Sequence, residues 1–162
     1  MAEARWEEEK NKGNKYFQQK DYQKAIECYT FCINLLPKQP TAYINRAAAL
    51  LQLKKYNEVI DDCTVAILLD PSCVKAYYRR SSALQQLGRL EEAYQDLKIA
   101  YEKDQNNPVV KKELDELQKS INKLNFDLPS TIVSKTSPST SLSSSSQQQS
   151  QPHVQKNSIQ SQ

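Results

Sequence analysis

The sequence predicts an all-α solenoid of three tandem helix-turn-helix repeats, closed by a capping helix and followed by a tail without fixed structure. Three observations predict it. The chain matches itself at an offset of 34 residues. Prolines fall at the ends of the repeating units. Its 162 residues hold only two glycines, Gly13 and Gly88, far too few for the tight turns of a sandwich or barrel.

The repeat shows in five columns. Gly13, Ala47 and Ser81 share one column and Cys32, Ala66 and Ala100 another; both are small. Ala25, Val59 and Ala93 form a third. Tyr29, Cys63 and Leu97 align, as do Tyr22, Tyr56 and Leu90, and these are mostly large and apolar. Two helices approach closely only where side chains are small, so the small columns mark helix crossings and the large ones fill the holes between. Pro37 and Pro71 align, whereas Gln105 breaks that column and Pro108 follows slightly late. A proline cannot continue a helix, and it pushes the residue before it out of the helical region.

Each element then follows in order. The first pair is predicted over about 4–19 and 22–36, the second over about 40–53 and 56–69, the third over about 74–87 and 90–104. Gly88 suits a C-terminal cap of the fifth helix. After Pro108, the residues Val110, Leu114, Leu117, Ile121 and Leu124 recur at spacings of 3 and 4 on one helical face. Lys and Glu fill the opposite face. A solenoid needs such a one-sided end piece, so residues 108–124 are predicted to be the capping helix. The period, with its small, large and proline positions, resembles the tetratricopeptide repeat (TPR), which implies a right-handed superhelical solenoid. The repeats would span about 6–39, 40–73 and 74–107, within a domain of residues 1–124.

From Pro129 the composition turns to serine and glutamine, with few apolar residues and no period. Such a segment cannot bury enough surface to offset its ordering entropy, so residues 125–162 are expected to form a disordered tail. Ser137-Pro138 is a candidate phosphorylation site. An extension of this kind also fits a piece of a larger protein or a short isoform.

Composition narrows the function. Charged residues make up 25% and hydrophobic ones 38%, and the net charge is +3, too small to imply nucleic acid or an anionic membrane. No apolar run reaches the roughly 18 residues of a membrane span. The N-terminus has no apolar signal core, so a cytoplasmic protein is expected, with the nucleus also open. Cys28, Cys32, Cys63 and Cys73 form no Cys-x-x-Cys pair and read as small buried hydrophobes. The single histidine, His153, lies in the tail. Neither a metal nor a cofactor is expected. No cysteine has a histidine to activate it, and there is no Gly-rich phosphate loop, so the reading is not an enzyme. Asp61 and Asp62 are adjacent, point to different sides of a helix and read as solvated.

In a curved TPR stack the first helix of each pair lines the groove. Lys10 and Asn14 are one turn apart on the first helix; Asn45 lies on the third; Lys75 and Arg79 are one turn apart on the fifth. Asn45 and Arg79 share a repeat position. The strip holds three cations, two amides and no acid. Cations and amide N–H donors converge on carboxylate oxygens, and a C-terminal Asp presents two carboxylates on one residue. A few charge-assisted hydrogen bonds of roughly 1.5–3 kcal/mol each, less the ordering cost, suggest micromolar binding, about −8 kcal/mol.

The stretches Lys-Asn-Lys-Gly-Asn at 10–14, Tyr-Ile-Asn-Arg-Ala at 43–47 and Lys-Ala-Tyr-Tyr-Arg-Arg at 75–80 resemble the carboxylate-clamp TPR domains of chaperone cofactors. That family binds the C-terminal Glu-Glu-Val-Asp peptide of heat-shock protein 70 and heat-shock protein 90. The resemblance implies Lys10, Asn14, Asn45, Lys75 and Arg79 as the clamp. It also implies that Phe17 and Ala48 shape the pocket for the peptide's Val, with Arg80 beside the clamp for the upstream Glu residues. The expected function is a monomeric co-chaperone adaptor. The alternative is a general TPR scaffold that binds internal peptides of a multiprotein assembly.

Overall fold

The computed structural model describes residues 1–127, all within one compact unit, and the expectations for the serine-rich tail and Ser137 lie outside those residues. Seven helices occupy the described chain: α1 Ala2–Gln18, α2 Tyr22–Leu35, α3 Pro40–Gln52, α4 Tyr56–Leu69, α5 Val74–Gln86, α6 Leu90–Lys103 and α7 Pro108–Asp127. Each packs on the next, and α3 also packs directly on α5. The first six differ from the sequence expectation only at their ends. The capping helix runs past residue 124 to Asp127, so residues 125–127 belong to it and not to the tail.

The same turn closes each helix pair. The N–H groups of Lys20, Lys54 and Gly88 donate to Phe17 O, Leu51 O and Gln85 O, each at 3.0 Å. The next N–H groups, on Asp21, Lys55 and Arg89, reach back to Tyr16 O, Leu50 O and Leu84 O at 2.9–3.0 Å. This pair of bonds ties off the last carbonyls of a helix and needs one residue at positive φ. Gly88 adopts φ 73° as the sequence suggested, but Lys20 (φ 63°) and Lys54 (φ 58°) adopt it too, without a glycine. Between pairs, Pro37 and Pro71 each follow the cap of the preceding helix, and Pro40 sits in the first turn of α3.

The small columns lie where the helices cross. Ala25, Ala47, Val59, Ala66, Ser81, Ala93 and Ala100 are fully buried. At Gly13 a Cβ would sit 2.7 Å from Tyr29 Cε1, so α1 and α2 touch backbone to ring and no larger residue fits there unshifted. Tyr29, Cys63 and Leu97 fill the cores between, as the large column predicted. Val110, Leu117 and Ile121 of α7 close the last core over Tyr77, Leu84 and Leu97. Leu124, placed on the same face by its spacing, is instead half exposed because α7 has outrun α6 there.

A second repeating device was not expected. Arg46 on α3 forms a two-pronged ion pair with Asp62 on α4, Nε–Oδ2 2.8 Å and Nη2–Oδ1 2.6 Å, and its Nη1 donates to Thr30 on α2 at 3.0 Å. One repeat on, Arg80 on α5 does the same with Asp96 on α6 and Thr64 on α4. Each arginine therefore ties three consecutive helices. Asp62 is 5% exposed, so the solvated reading of that residue is wrong: the partner that makes its burial tolerable comes from another helix. Burial pushes the Asp62 carboxyl up while the Arg46 guanidinium pulls the other way, and the bonds to Asp62 hold Arg46 above its usual range.

Candidate functional site

The first helices of the pairs, α1, α3 and α5, carry the expected strip. Lys75 and Arg79 sit one turn apart on α5 and line a cleft of about 440 Å³. Phe17 from α1 and Ala48 and Leu51 from α3 supply its apolar side, with Val74 and Tyr78 of α5 and Val109 and Val110 of α7. Four of the eight expected residues thus line one cleft. Leu51, Val74, Tyr78, Val109 and Val110 were missed, because the period says which residues face inward and not which walls meet across a gap. The Tyr78 hydroxyl donates to Glu113 Oε1 on α7, and burial together with that carboxylate pushes the Tyr78 phenol up to about 12.

Arg79 is the unusual member. Its Nη1 donates to Ile44 O at 3.1 Å, across the contact between α3 and α5. Among the described residues it makes no ion pair, whereas its neighbour Arg80 takes Asp96. Burial lowers the pKa of Arg79. A desolvated cation without a carboxylate partner leaves part of its charge unsatisfied, and an incoming anion relieves that cost. Lys75 is exposed and also unpaired among the described residues.

Asn14 and Asn45, which lie 31 residues apart, are joined: Asn45 Nδ2 donates to Asn14 Oδ1 at 3.4 Å. Tyr29 Oη donates to the same oxygen at 2.8 Å. Burial pushes the Tyr29 hydroxyl up to about 12, so it remains a protonated donor at neutral pH. With Oδ1 engaged by two donors, Asn14 is left with its NH₂ group to offer a ligand. Tyr29 was legible only as a core residue of the large column; its hydroxyl partner required the structure.

One expectation needs correction. Arg80 is turned to other partners: each of its three guanidinium nitrogens donates to Asp96 on α6 or Thr64 on α4. Sequence adjacency to Arg79 misled, since neighbouring residues on a helix point about 100° apart. The five strip residues include no acid, but one stands beside them. Lys10 Nζ donates to Glu7 Oε1 at 2.6 Å and Oε2 at 2.8 Å, and stacks 5.0 Å from the centre of the Trp6 ring.

The cysteines follow expectation, with Cys28, Cys32 and Cys63 buried and Cys73 intermediate. Among the described residues no cluster of three His, Cys, Asp or Glu side chains could hold a metal. Nor is any described helix long and apolar enough to cross a membrane.

Comparison with known proteins agrees with this architecture. Models of the tetratricopeptide repeat match residues 6–39 and 74–107. The first TPR domain of Spaghetti (RPAP3), solved bound to the HSP90 peptide SRMEEVD, superposes with a TM-score of 0.72 at 38% identity, covering 74% of this chain and 94% of that one. The second TPR domain of human RPAP3, solved in complex with the HSP70 peptide SGPTIEEVD, gives 0.70 at 38% identity, covering 73% and 98%. Among curated proteins, the mitochondrial import receptor subunit TOM70 of Rattus norvegicus is 53% identical over 45 residues, which is 25% of this chain and 7% of that protein. The chain thus spans a small fraction of the length of the curated relatives it matches. It belongs to the tetratricopeptide repeat family.

Proposed function

We propose that this chain is a co-chaperone adaptor whose groove binds the acidic C-terminal peptide of heat-shock protein 90 or 70. It works by binding and not by catalysis, in the cytoplasm. One observation carries the reading: Arg79, largely desolvated and without an acid partner among the described residues, lines the same cleft as the unpaired Lys75. Lys10 and the NH₂ groups of Asn14 and Asn45 complete two sets of donors, which suits a terminal Asp with its two carboxylates. Phe17 and Ala48 offer apolar surface beside them for the preceding Val. Similar TPR domains solved with SRMEEVD and SGPTIEEVD peptides support the ligand class.

Calorimetric titration with the peptide Ser-Arg-Met-Glu-Glu-Val-Asp tests it. Binding in the micromolar range, about −8 kcal/mol, is expected. Arg79→Ala should lower affinity at least about ten-fold, the 1.4 kcal/mol or more of a lost charge-assisted bond. Amidating the peptide's terminus should weaken it similarly. If Arg79→Ala and amidation both leave affinity unchanged, or a C-terminally extended peptide binds equally well, the groove takes internal peptides instead.

A further inference from the structure

Of the three cations in the proposed clamp, only Lys10 is paired with an acid among the described residues. Both oxygens of Glu7 lie on its ammonium, at 2.6 and 2.8 Å. The Lys10 side chain is 19% exposed and Glu7 52% exposed, so the pair is half sheltered. Trp6 presents its ring to the same ammonium, and Asn11 Nδ2 donates to Glu7 Oε1 at 3.4 Å, holding the carboxylate in place. An ammonium has three protons to donate. Glu7 takes two of them and offsets the charge that a ligand carboxylate would need.

We propose that Glu7 is an internal competitor that sets the affinity of the groove. It holds Lys10 in the unliganded state and gives way to a carboxylate of the ligand. This rests on the clamp reading above. On the α1 side, binding exchanges one carboxylate for another, with little net gain. On the α5 side, Lys75 and Arg79 hold no carboxylate among the described residues, and Arg79 has only the carbonyl of Ile44 as a partner, so the net attraction arises there. The groove is thereby biased against weakly acidic chains: a ligand must first hold the α5 side before it can displace Glu7. Glu7 acts through Lys10, as a residue that positions it and tunes its charge.

The experiment is a double-mutant cycle read by calorimetry with Ser-Arg-Met-Glu-Glu-Val-Asp over a range of salt. Glu7→Gln should tighten binding about two- to five-fold, the size of an exposed ion pair, and steepen the salt dependence. In a Lys10→Met background the same change should give no tightening. Glu8→Gln removes the same charge one residue away and should tighten binding less than half as much. Unchanged or weaker binding by Glu7→Gln, or an equal gain from Glu8→Gln or without Lys10, overturns the proposal. Failure of the clamp reading is separable, because there Arg79→Ala would also leave affinity unchanged. A surface Glu→Gln change leaves stability within about 0.5 kcal/mol, and a thermal scan of each variant verifies that.

Discussion

At the scale of single residues, burial decides what each group can do more than its chemical type does. Arg79 and Arg80 are neighbours with the same side chain. One is satisfied by an aspartate and holds the fold, while the other faces the cleft without an acid partner among the described residues. The cysteines separate in the same way. Burial pushes Cys63 up to about 12 and Cys32 to about 11, and it raises Cys28 as well. The thiolate is the reactive form, and a thiol with a pKa that high holds almost none of it near neutral pH. Native protein treated with a maleimide at pH 7.5 should therefore be labelled first at Cys73, the least buried of the four; Cys28, Cys32 and Cys63 should react only on unfolding. Peptide mapping by mass spectrometry reads the order.

At the scale of elements, the turns show how a repeat tolerates imperfect local chemistry. Three equivalent positions need positive φ, and only Gly88 adopts it without steric cost. Lys20 and Lys54 are held there because the flanking helices are locked by their packing. Lys54→Gly should stabilise the protein by about 0.5–1 kcal/mol, as relief of left-handed strain outweighs the added freedom of the unfolded chain. Urea denaturation measures it, and a midpoint that falls would count against the strain argument. The elements themselves were nearly all legible in the sequence. The six repeat helices follow from the columns and prolines, since the small residue at each crossing and the proline at each end are local requirements. The seventh was legible in its apolar spacing but not in its length. Where a helix outlasts its partner depends on how far α6 extends, and Leu124 and Phe126 are exposed for that reason.

Across the whole molecule, two arginine rungs join consecutive repeats. Arg46 ties α2, α3 and α4; Arg80 ties α4, α5 and α6. Helix α4 belongs to both, so disturbing one repeat is felt by the next. Asp96→Ala would leave the Arg80 guanidinium half-buried and unpaired. It should destabilise the protein by about 2–4 kcal/mol, somewhat below a fully buried pair because Arg80 retains some exposure. Replacing both partners, as Arg80→Met with Asp96→Leu, should recover most of that loss, since neither charge is then stranded. Chemical denaturation of the single and double variants checks the difference. The double variant should also bind the acidic peptide with unchanged affinity, which separates the rung from the groove.

The sequence by itself determined the repeat and its six helices, because periodicity and proline punctuation are local and recur. It also set the register of Lys10, Asn14, Asn45, Lys75 and Arg79, since positions one turn or one repeat apart share a face. The tertiary structure decided which of those groups still seek a partner. Glu7 claims Lys10, Tyr29 orients Asn14, and Asp96 engages Arg80. Charge and amide content can be counted along a chain, but satisfaction depends on what the neighbouring helices bring within hydrogen-bond reach. Only the packed molecule fixes that distance.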